Sequence, residues 1–407
     1  MVYDLIIVGA GAAGLFAAAN VPSDIKTLIL EKTAKPGQKL LLTGSGQCNI
    51  TNDEPIKNFL KRYGDNGKQL RNVLFKYSNI ALKSFFEENG LPLQTRDDGK
   101  VFPTSKKSTD VVNLLVKLAK KQGVEFYLNC AVTNIEVLSA EPENNRVYKI
   151  TTSTIKTELF AKNVLIATGG LSYPQTGSDG SVNDCIEQLG IKIIPQKPAL
   201  TPVFVRDYPY KSLSGVTLDN CELKLNNKII TGSLLFTHKG FSGLAILECS
   251  RCATKGDSLI INYLPEYTEQ TLRKTLIQKS TGEIKQIITV LGAETLLPKS
   301  FLEIICENCK IDAKEKASRL SGAQIGILAQ KLTAEKYEIS GTGDFDTAMV
   351  TVGGVCLDEI DLKTMQAVNH PGLYFAGEVL DVDGDTGGYN LQFAFSSAML
   401  GIKSICC

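Results

Sequence analysis

The chain has 407 residues and a formal net charge of +1, from 44 basic and 43 acidic side chains. Its length exceeds that of a usual single core, so we expect two or three domains. The balanced charge excludes a global electrostatic attraction to nucleic acid or to a membrane, although it can hide a local basic patch. No uninterrupted apolar run of about 18 residues occurs, so we expect neither a membrane-spanning helix nor a membrane partner.

The N-terminal segment predicts a βαβ unit that binds a dinucleotide. An apolar strand at 5–8 leads into a glycine-rich turn and a helix of small residues, and a second strand at 27–30 ends at Glu31. The turn reads Gly9, Ala10, Gly11, Ala12, Ala13, Gly14. The first glycine permits the tight turn, the second lets the backbone approach a pyrophosphate, and the third lets the helix pack on the strand. The carboxylate of Glu31 can accept hydrogen bonds from ribose hydroxyls.

Further α/β elements follow the first unit. Residues 35–52 form a polar, glycine-rich segment that is too polar for a core. An apolar strand at 163–168 enters a Gly-Gly turn, as expected at the carboxyl edge of a parallel sheet, where ligands of open α/β folds bind. Between these segments, periodicity predicts helices at 66–89 and 109–122 and strands at 124–137 and 146–152.

The middle of the chain changes pattern and then returns to the first type. From about residue 195 short strands with period two replace the βα alternation, and 266–332 is mostly helical. We therefore predict that a first domain is assembled from 1–194 and 345–407. The expected inserts are a β-rich domain from 195–265 and 333–344, and a helical domain from 266–332.

The C-terminal segment indicates FAD in place of NAD. A short apolar strand ends at Gly377 and Glu378, Asp381 follows, and a glycine-rich stretch precedes a helix that begins near Asn390. An acid at the strand end can bind a ribityl or pyrophosphate group, and the helix N-terminus would aim free N–H groups at the flavin O2. The alternative is that the Gly-Glu turn only terminates a strand.

Other features exclude a disulfide reductase of the glutathione-reductase type. Such an enzyme carries a second GxGxxG motif for NAD(P)H and a Cys-x4-Cys pair after the first βαβ unit. Neither is present, since Thr43 stands where the first cysteine would be and leaves Cys48 alone. Because the chain has no second GxGxxG motif, any pyridine nucleotide must bind somewhere other than in a second Rossmann domain of that kind.

The cysteines favour a cytoplasmic protein without a metal site. The apolar stretch 5–21 has Asp4 where a signal peptide would be positive, so we interpret it as core and the eleven cysteines as reduced thiols. The pairs Cys249–Cys252 and Cys306–Cys309 have zinc-ligand spacing, but neither lies on a glycine-bearing knuckle. We interpret them as small buried residues.

Four motifs in order resemble those of the BaiN-like (YhiN-like) FAD-dependent oxidoreductases. They lie at 43–52, 236–243, 350–355 and 373–384, and the similarity covers essentially the whole chain. The resemblance implies an α/β fold in which a discontinuous Rossmann-type FAD-binding domain carries an inserted β-barrel-like domain and a helical domain. It also implies FAD that is reduced by NADH or NADPH. In one departure from the family, Gln47 replaces the usual Arg and removes a positive charge.

The motifs and the resemblance define the expected cofactor-binding residues. They are Gly9, Gly11, Ala12, Ala13, Gly14, Glu31, Lys32, Gln38, Lys39, Gly46, Asn49, Thr51, Val132, Thr168, Gly169, Gly377, Glu378, Asp381, Gly388, Tyr389, Asn390, Leu391 and Gln392.

Cys48 and His238 are the candidate catalytic residues. Reduction of an enone or of the uracil C5=C6 bond requires a hydride on the β carbon and a proton on the α carbon. Cys48 could supply that proton, or it could pack beside the FAD pyrophosphate. His238 could polarise a substrate carbonyl or serve a structural role, and His370 is expected to lie at the surface.

Reactions attributed to the family leave the substrate open. Our first hypothesis is NAD(P)H-driven reduction of uridine to dihydrouridine in 23S ribosomal RNA, although the near-neutral charge argues mildly against RNA. The alternatives are a small-molecule, steroid-like enone reductase, an aminoacetone-type amine oxidase, and a non-enzymatic flavin redox sensor. The oligomeric state stays open.

Overall fold

The computed structural model describes residues 2–138, 146–155 and 158–406. The chain forms two compact units, one from Met1–Pro198 with Met349–Cys407 and the other from Ala199–Ala348. The first unit is thus discontinuous, as the sequence predicts. Its boundaries lie a few residues beyond the expected ones because the strand Ile193–Ala199 pairs with Val350–Val355.

The strands are numbered in chain order. They are Val2–Val8 (β1), Thr27–Leu30 (β2), Thr51–Asn52 (β3), Leu93–Thr95 (β4), Lys100–Pro103 (β5), Glu125–Tyr127 (β6), Val132–Leu138 (β7), Val147–Thr152 (β8), Leu159–Ile166 (β9), Ile193–Ala199 (β10), Val203–Val205 (β11), Thr217–Leu225 (β12), Lys228–Phe236 (β13), Phe241–Ser242 (β14), Ser258–Asn262 (β15), Glu335–Thr342 (β16), Val350–Val355 (β17), Ile360–Asp361 (β18), Gln366–Ala367 (β19) and Leu373–Phe375 (β20).

The α-helices are numbered in the same way. They are Ala12–Asn20 (α1), Gln38–Leu42 (α2), Ile56–Phe59 (α3), Arg71–Lys76 (α4), Asn79–Glu88 (α5), Ser108–Lys121 (α6), Asn183–Gln188 (α7), Leu244–Cys249 (α8), Glu269–Ser280 (α9), Ile287–Thr295 (α10), Lys299–Asn308 (α11), Gly322–Thr333 (α12) and Tyr389–Ile405 (α13).

A twisted sheet with a parallel centre organises the first unit. Its order is β18-β19-β20-β9-β1-β2-β6. The five strands β20-β9-β1-β2-β6 are parallel to one another, whereas β19 is antiparallel to β18 and β20. Strands β7 and β8 extend antiparallel from β9. The run from Leu5 to Val8 is buried throughout, as a central parallel strand requires. Helix α1 packs against α6 and α13.

The second unit contains a closed antiparallel barrel and five α-helices, α8 to α12. The barrel order is β11-β14-β13-β12-β15-β16. One cluster of buried side chains contains barrel residues such as Leu223 and helical residues such as Leu272, Phe301 and Leu328. The predicted class, a split Rossmann-type domain with barrel and helical inserts, is confirmed. A separate helical domain at 266–332 stays a prediction.

Three predicted elements differ locally from the structure. The expected helix at 66–89 is interrupted between α4 and α5, where the Ser78 hydroxyl caps α5 by accepting a hydrogen bond from Ala81 N at 3.4 Å. The expected strand at 124–137 is divided into β6 and β7 by a turn that contains Asn129 at φ +52°. The polar segment 35–52 contains the short helix α2.

Candidate functional site

A cleft in the first unit lies at the carboxyl edge of the parallel sheet. Four strands end side by side there, since Val8 is paired with Leu30 and Ile166, and Ile166 is paired with Phe375. The next residue after each strand lines the cleft, at Gly9, Glu31, Ala167 and Ala376. The open space of the cleft is about 1200 Å³.

Most of the predicted cofactor-binding residues line this cleft. They are Gly9, Gly11, Ala12, Ala13, Glu31, Lys32, Gln38, Lys39, Val132, Thr168, Gly169, Gly377, Glu378, Asn390 and Leu391. The structure therefore brings the two ends of the chain to one site, because β1 and β20 both pair with β9.

The glycine turn leaves room for a ligand at only one of its three glycines. A Cβ on Gly9, at φ +100°, would lie 2.6 Å from Ala167 O, and one on Gly14 would lie 1.9 Å from Gly9 O. A Cβ on Gly11 would approach no atom closer than Ala167 O at 4.0 Å. Gly11 begins helix α1 without a side-chain cap. The first and third glycines thus serve internal packing, and the second leaves the helix N-terminus accessible.

Hydrogen bonds from the glycine turn and from Thr33 fix the carboxylate of Glu31 at the end of β2. Its Oε2 accepts a hydrogen bond from Ala10 N at 2.8 Å, and its Oε1 accepts from Thr33 N and Thr33 Oγ1, both at 2.8 Å. Beside it Lys32 Nζ lies 2.5 Å from Asp179 Oδ2. The fixed carboxylate retains lone pairs for a hydroxyl ligand.

An ion pair joins the two chain ends in the cleft wall. Lys39 Nζ lies 2.6 Å from Glu378 Oε2, and both side chains are about four-fifths buried. The other carboxylate oxygen of Glu378 accepts a hydrogen bond from Thr351 N at 2.9 Å. Glu378 is therefore fixed at the strand end by two partners.

Helix α13 begins at the cleft. Its N-cap is Gly388 at φ +100°, without a side-chain cap, and Asn390 and Leu391 of its first turn line the cleft. A Cβ on Gly388 would lie 2.5 Å from Thr51 O, so the helix start is packed closely on β3. Unpaired N–H groups and the helix dipole make this end suitable for a negatively charged ligand atom.

The other predicted cofactor residues lie behind the cleft wall. Thr51 Oγ1 donates to Gln392 Oε1 at 2.6 Å, and the Asn49 amide lies 3.0 Å from both Thr51 O and Gly388 N. Asp381 accepts from Gly353 N at 3.1 Å, and burial raises the pKa of its carboxyl group. The remaining residues outside the cleft lining are Gly14, Gly46 and Tyr389. The side chains of Asn49, Thr51 and Asp381 thus contact the loops beside the site without lining the cleft.

Cys48 lies in a left-handed turn and faces the core. Gly44, Ser45 and Gly46 have φ values of +56°, +56° and +82°, and Cys48 follows at +59°. Cys48 is fully buried, it does not line the cleft, and burial raises the pKa of its thiol to about 12. Thr43, at the start of the turn, does line the cleft. This placement favours the packing interpretation of Cys48.

The two histidines occupy turns. His238 is exposed between β13 and β14 in the second unit, where Thr237 Oγ1 donates to Gly240 O at 2.8 Å. His370 is half-buried, and its carbonyl accepts a hydrogen bond from Leu373 N at 3.0 Å.

Within the described ranges, no group of three or more His, Cys, Asp or Glu residues could hold a metal ion. Burial raises the pKa of the Cys249 and Cys306 thiols to about 12. Cys252 donates weakly to Cys249 O at 3.4 Å, so this pair is joined through the backbone.

One wall of the cleft is not predicted from the sequence. Residues 176–182 line it, and Asp179 of this segment binds Lys32. The polar, glycine-containing sequence from Gly177 to Ser181, shortly after the Gly-Gly turn, was the available signal. The sequence contains no signal that connects this loop to Lys32, which lies far away in the chain.

Known proteins are similar to this chain over its full length. It is 33% identical over 404 residues to the ribosomal RNA dihydrouridine synthase of Haemophilus influenzae, covering 98% of each chain. It is 30% identical to the 3-dehydro-bile acid delta(4,6)-reductase of Clostridium scindens, covering 97% of each. The solved 3-ketosteroid delta1-dehydrogenase of Sterolibacterium denitrificans shares the fold, with a TM-score of 0.54, 13% identity and 99% of each chain covered.

No helix in the described part of the chain is long and apolar enough to cross a membrane. A family described as HI0933-like protein Rossmann domain matches residues 3–403. The relationship predicted from the four motifs is confirmed by this match and by the full-length relatives. The chain therefore belongs to the HI0933-like Rossmann-domain family.

Proposed function

We propose that this protein is an FAD-dependent oxidoreductase that uses NADH or NADPH to reduce an activated C=C bond. The observation that carries the proposal is the single cleft in which the Gly9–Glu31 unit meets Glu378 and the N-terminus of α13. When bound there, FAD would take two electrons from the nicotinamide and pass them to the substrate.

The residues of the cleft fit FAD. The uncapped N-terminus of α1 would bind the diphosphate, Glu31 would accept from the adenosine ribose, and Glu378 would accept from the ribityl chain. The charged cleft residues are three acids, Glu31, Asp179 and Glu378, and two bases, Lys32 and Lys39. Because this set does not neutralise a diphosphate, backbone N–H groups would supply much of its binding.

Uridine in 23S ribosomal RNA is the substrate that we favour. The Haemophilus influenzae relative, named as a ribosomal RNA dihydrouridine synthase, supports this choice. The bile acid reductase relative supports the second candidate, a small-molecule enone. An amine oxidase and a redox sensor rank below these, and an RNA substrate of the ribosome would place the enzyme in the cytoplasm.

The most direct experiment is deletion of the gene followed by mass mapping of 23S ribosomal RNA. We expect loss of one dihydrouridine, restored by a plasmid copy of the gene. Unchanged RNA, together with reduction of a steroid enone by the purified protein, would favour the second candidate. Flavin bleaching by NADH or NADPH without turnover of any acceptor would favour the sensor.

The proton donor can be tested separately. If Cys48 supplies the proton, Cys48→Ala should keep FAD and nicotinamide-driven bleaching while substrate reduction slows by about 100-fold. Loss of FAD from the variant would instead assign the 43–48 turn to cofactor binding. For His238, an alanine variant with unchanged turnover on the true substrate would remove it from the mechanism.

A further inference from the structure

A short segment of the first unit carries a large positive charge. Residues 56–76, which we name the basic lobe, contain six basic side chains and one acidic side chain. Their formal charge of +5 leaves −4 on the rest of the chain. The overall charge of +1 therefore conceals a strongly basic surface element.

Most of this charge faces solvent without a protein partner. Arg62 is neutralised by Glu54, with Nε 3.0 Å from Oε1, and lies near Asp385. The other five cations are exposed and form no ion pair with any described residue, and they are Lys57, Lys61, Lys68, Arg71 and Lys76. Asp65 is the acid of the lobe. Unpaired cations at this density attract a polyanion.

An aromatic side chain lies among the cations. Phe75 is 43% exposed, and the Arg71 guanidinium lies 5.3 Å from its ring centroid. Phe75, Arg71 and Lys76 border one open groove together with Gln69 and Asn72. Exposed aromatic faces between cations are typical of surfaces that stack unpaired bases and contact phosphates.

The lobe is attached to the loop that leads into the cleft. Tyr63 Oη donates to Tyr389 O at 2.8 Å, and Asn66 Nδ2 donates to Asp381 O at 2.8 Å. The chain then continues directly to Asn390 and Leu391, which line the cleft. The lobe thus contacts the segment that leads into the cleft, so a polyanion on the lobe would be held by the same unit that carries the proposed FAD site.

We propose that the basic lobe is an RNA-binding surface that contacts phosphates through its five unpaired cations and stacks an unpaired base on Phe75. The choice of RNA rests on the proposed function, and the surface extends that function by specifying how the substrate is held. Charge complementarity and the Arg71–Phe75 arrangement distinguish this surface from an ordinary solvated helix face.

Helix α6 supplies a matched control within the same unit. Its Lys117, Lys120 and Lys121 are exposed and unpaired among described residues, but no exposed aromatic ring lies between them. The lobe variant combines Lys68→Gln, Arg71→Gln and Lys76→Gln, and the control combines Lys117→Gln, Lys120→Gln and Lys121→Gln. Both lose three positive charges, so the net charge is equal.

The full-length variants are titrated against a fluorescein-labelled RNA hairpin with a uridine-containing loop, over a series of potassium chloride concentrations. Loss of three phosphate contacts should reduce the slope of log K against log salt by about 2 in the lobe variant, and much less in the control. Phe75→Ala should weaken binding about tenfold without changing the slope. Circular-dichroism melting and flavin absorbance verify folding, and Lys76→Gln alone replaces the triple variant if that variant does not fold.

Other outcomes would refute either the proposed RNA-binding surface or the proposed reaction, and the two cases can be distinguished. Equal RNA affinity of the lobe and control variants would overturn the lobe as an RNA surface. So would unchanged RNA affinity together with lost binding to phosphatidylserine vesicles, which would assign the lobe to a membrane. RNA binding that depends on the lobe, without any uridine reduction, would retain the surface and refute the proposed reaction. Uridine reduction at an unchanged rate in the lobe variant would retain the proposed reaction and refute the lobe as the RNA-binding surface.

Discussion

Lys39 and Glu378 are 339 positions apart in the chain and form a 2.6 Å ion pair in the cleft wall. Each is predicted to bind the cofactor, but no sequence motif indicates that the two side chains pair. The pair matters because the cleft carries more acidic than basic side chains. Removal of the lysine would leave the Glu378 carboxylate uncompensated beside an anionic ligand.

We expect Lys39→Met to raise the Kd of FAD about tenfold or more, because Glu378 would then repel the diphosphate. The double variant with Glu378→Gln should recover part of this loss. Quenching of flavin fluorescence on titration into the apoprotein measures the Kd. Lys149→Met, which removes an exposed ion pair to Glu158 outside the cleft, is the control and should leave the Kd unchanged. Equal Kd values for Lys39→Met and the control would contradict the assigned role.

Because the Cys48 thiol is buried, we expect the free energy of unfolding to fall at alkaline pH. Its thiol pKa is raised by burial from 9.0 to about 12, so the unfolded thiol ionises at a lower pH than the folded one. The contribution of the protonated Cys48 thiol to the free energy of unfolding is fully present below pH 9.0. It is lost between about pH 9 and pH 12, because the unfolded thiol releases its proton over this range while the folded thiol keeps it. The free energy of unfolding should fall by about 1.4 kcal/mol per pH unit from this group.

Urea unfolding at a series of alkaline pH values checks this expectation. The free energy of unfolding of Cys48→Ala should fall less steeply with pH than that of the parent protein, by about 1.4 kcal/mol per pH unit. Parallel declines in the two proteins would show that the thiol ionises equally in both states. Such a result would reopen the assignment of Cys48 as an accessible proton donor.

At the scale of elements, the turn between β1 and α1 separates packing from ligand binding. A Cβ on Gly14 would overlap Gly9 O at 1.9 Å, whereas a Cβ on Gly11 would come no closer than 4.0 Å to any atom, at Ala167 O. The three glycines look equivalent in the sequence motif. Their different surroundings arise because Gly14 faces the strand and Gly11 faces the cleft.

We therefore expect opposite effects from two alanine substitutions. Gly14→Ala should lower the free energy of unfolding by about 1–3 kcal/mol or more, because helix and strand must separate. Gly11→Ala should keep the melting temperature of the apoprotein while FAD binding weakens, since the methyl group blocks the diphosphate. Thermal melting and FAD titration are measured on the same preparations. Comparable melting temperatures for both variants would refute the packing argument.

Local sequence predicted the elements of the first βαβ unit more accurately than the segments after it. The apolar strand, the glycines and Glu31 are close in the chain, so their geometry follows from short-range rules. The break between α4 and α5 at Ser78 was missed because apolar periodicity continues across it, and only the cap interaction reveals the interruption.

At the scale of the whole molecule, each unit has its own core. The buried cluster of the first unit contains no residue between Ile191 and Val355, and the cluster of the second unit lies between Val203 and Ile339. Independent cores allow the two units to unfold in separate transitions.

Calorimetry with and without FAD tests this division. Free FAD at about 100 times its Kd should stabilise the first unit by about 2.7 kcal/mol and leave the second transition in place. A single transition that shifts as a whole would show that the units unfold cooperatively. Two transitions that both shift by the same amount would place FAD contacts in both units.

The family, the split Rossmann-type fold and a candidate cofactor site that involves both chain ends can all be inferred from the amino-acid sequence. These conclusions rest on residues that are close in the chain or repeat a family motif. In contrast, the burial of Cys48, the ion pair between Lys39 and Glu378 and the position of Asp179 in a cleft wall are visible only in the folded chain. Burial and pairing depend on contacts between distant segments, which neither periodicity nor local motif chemistry encodes.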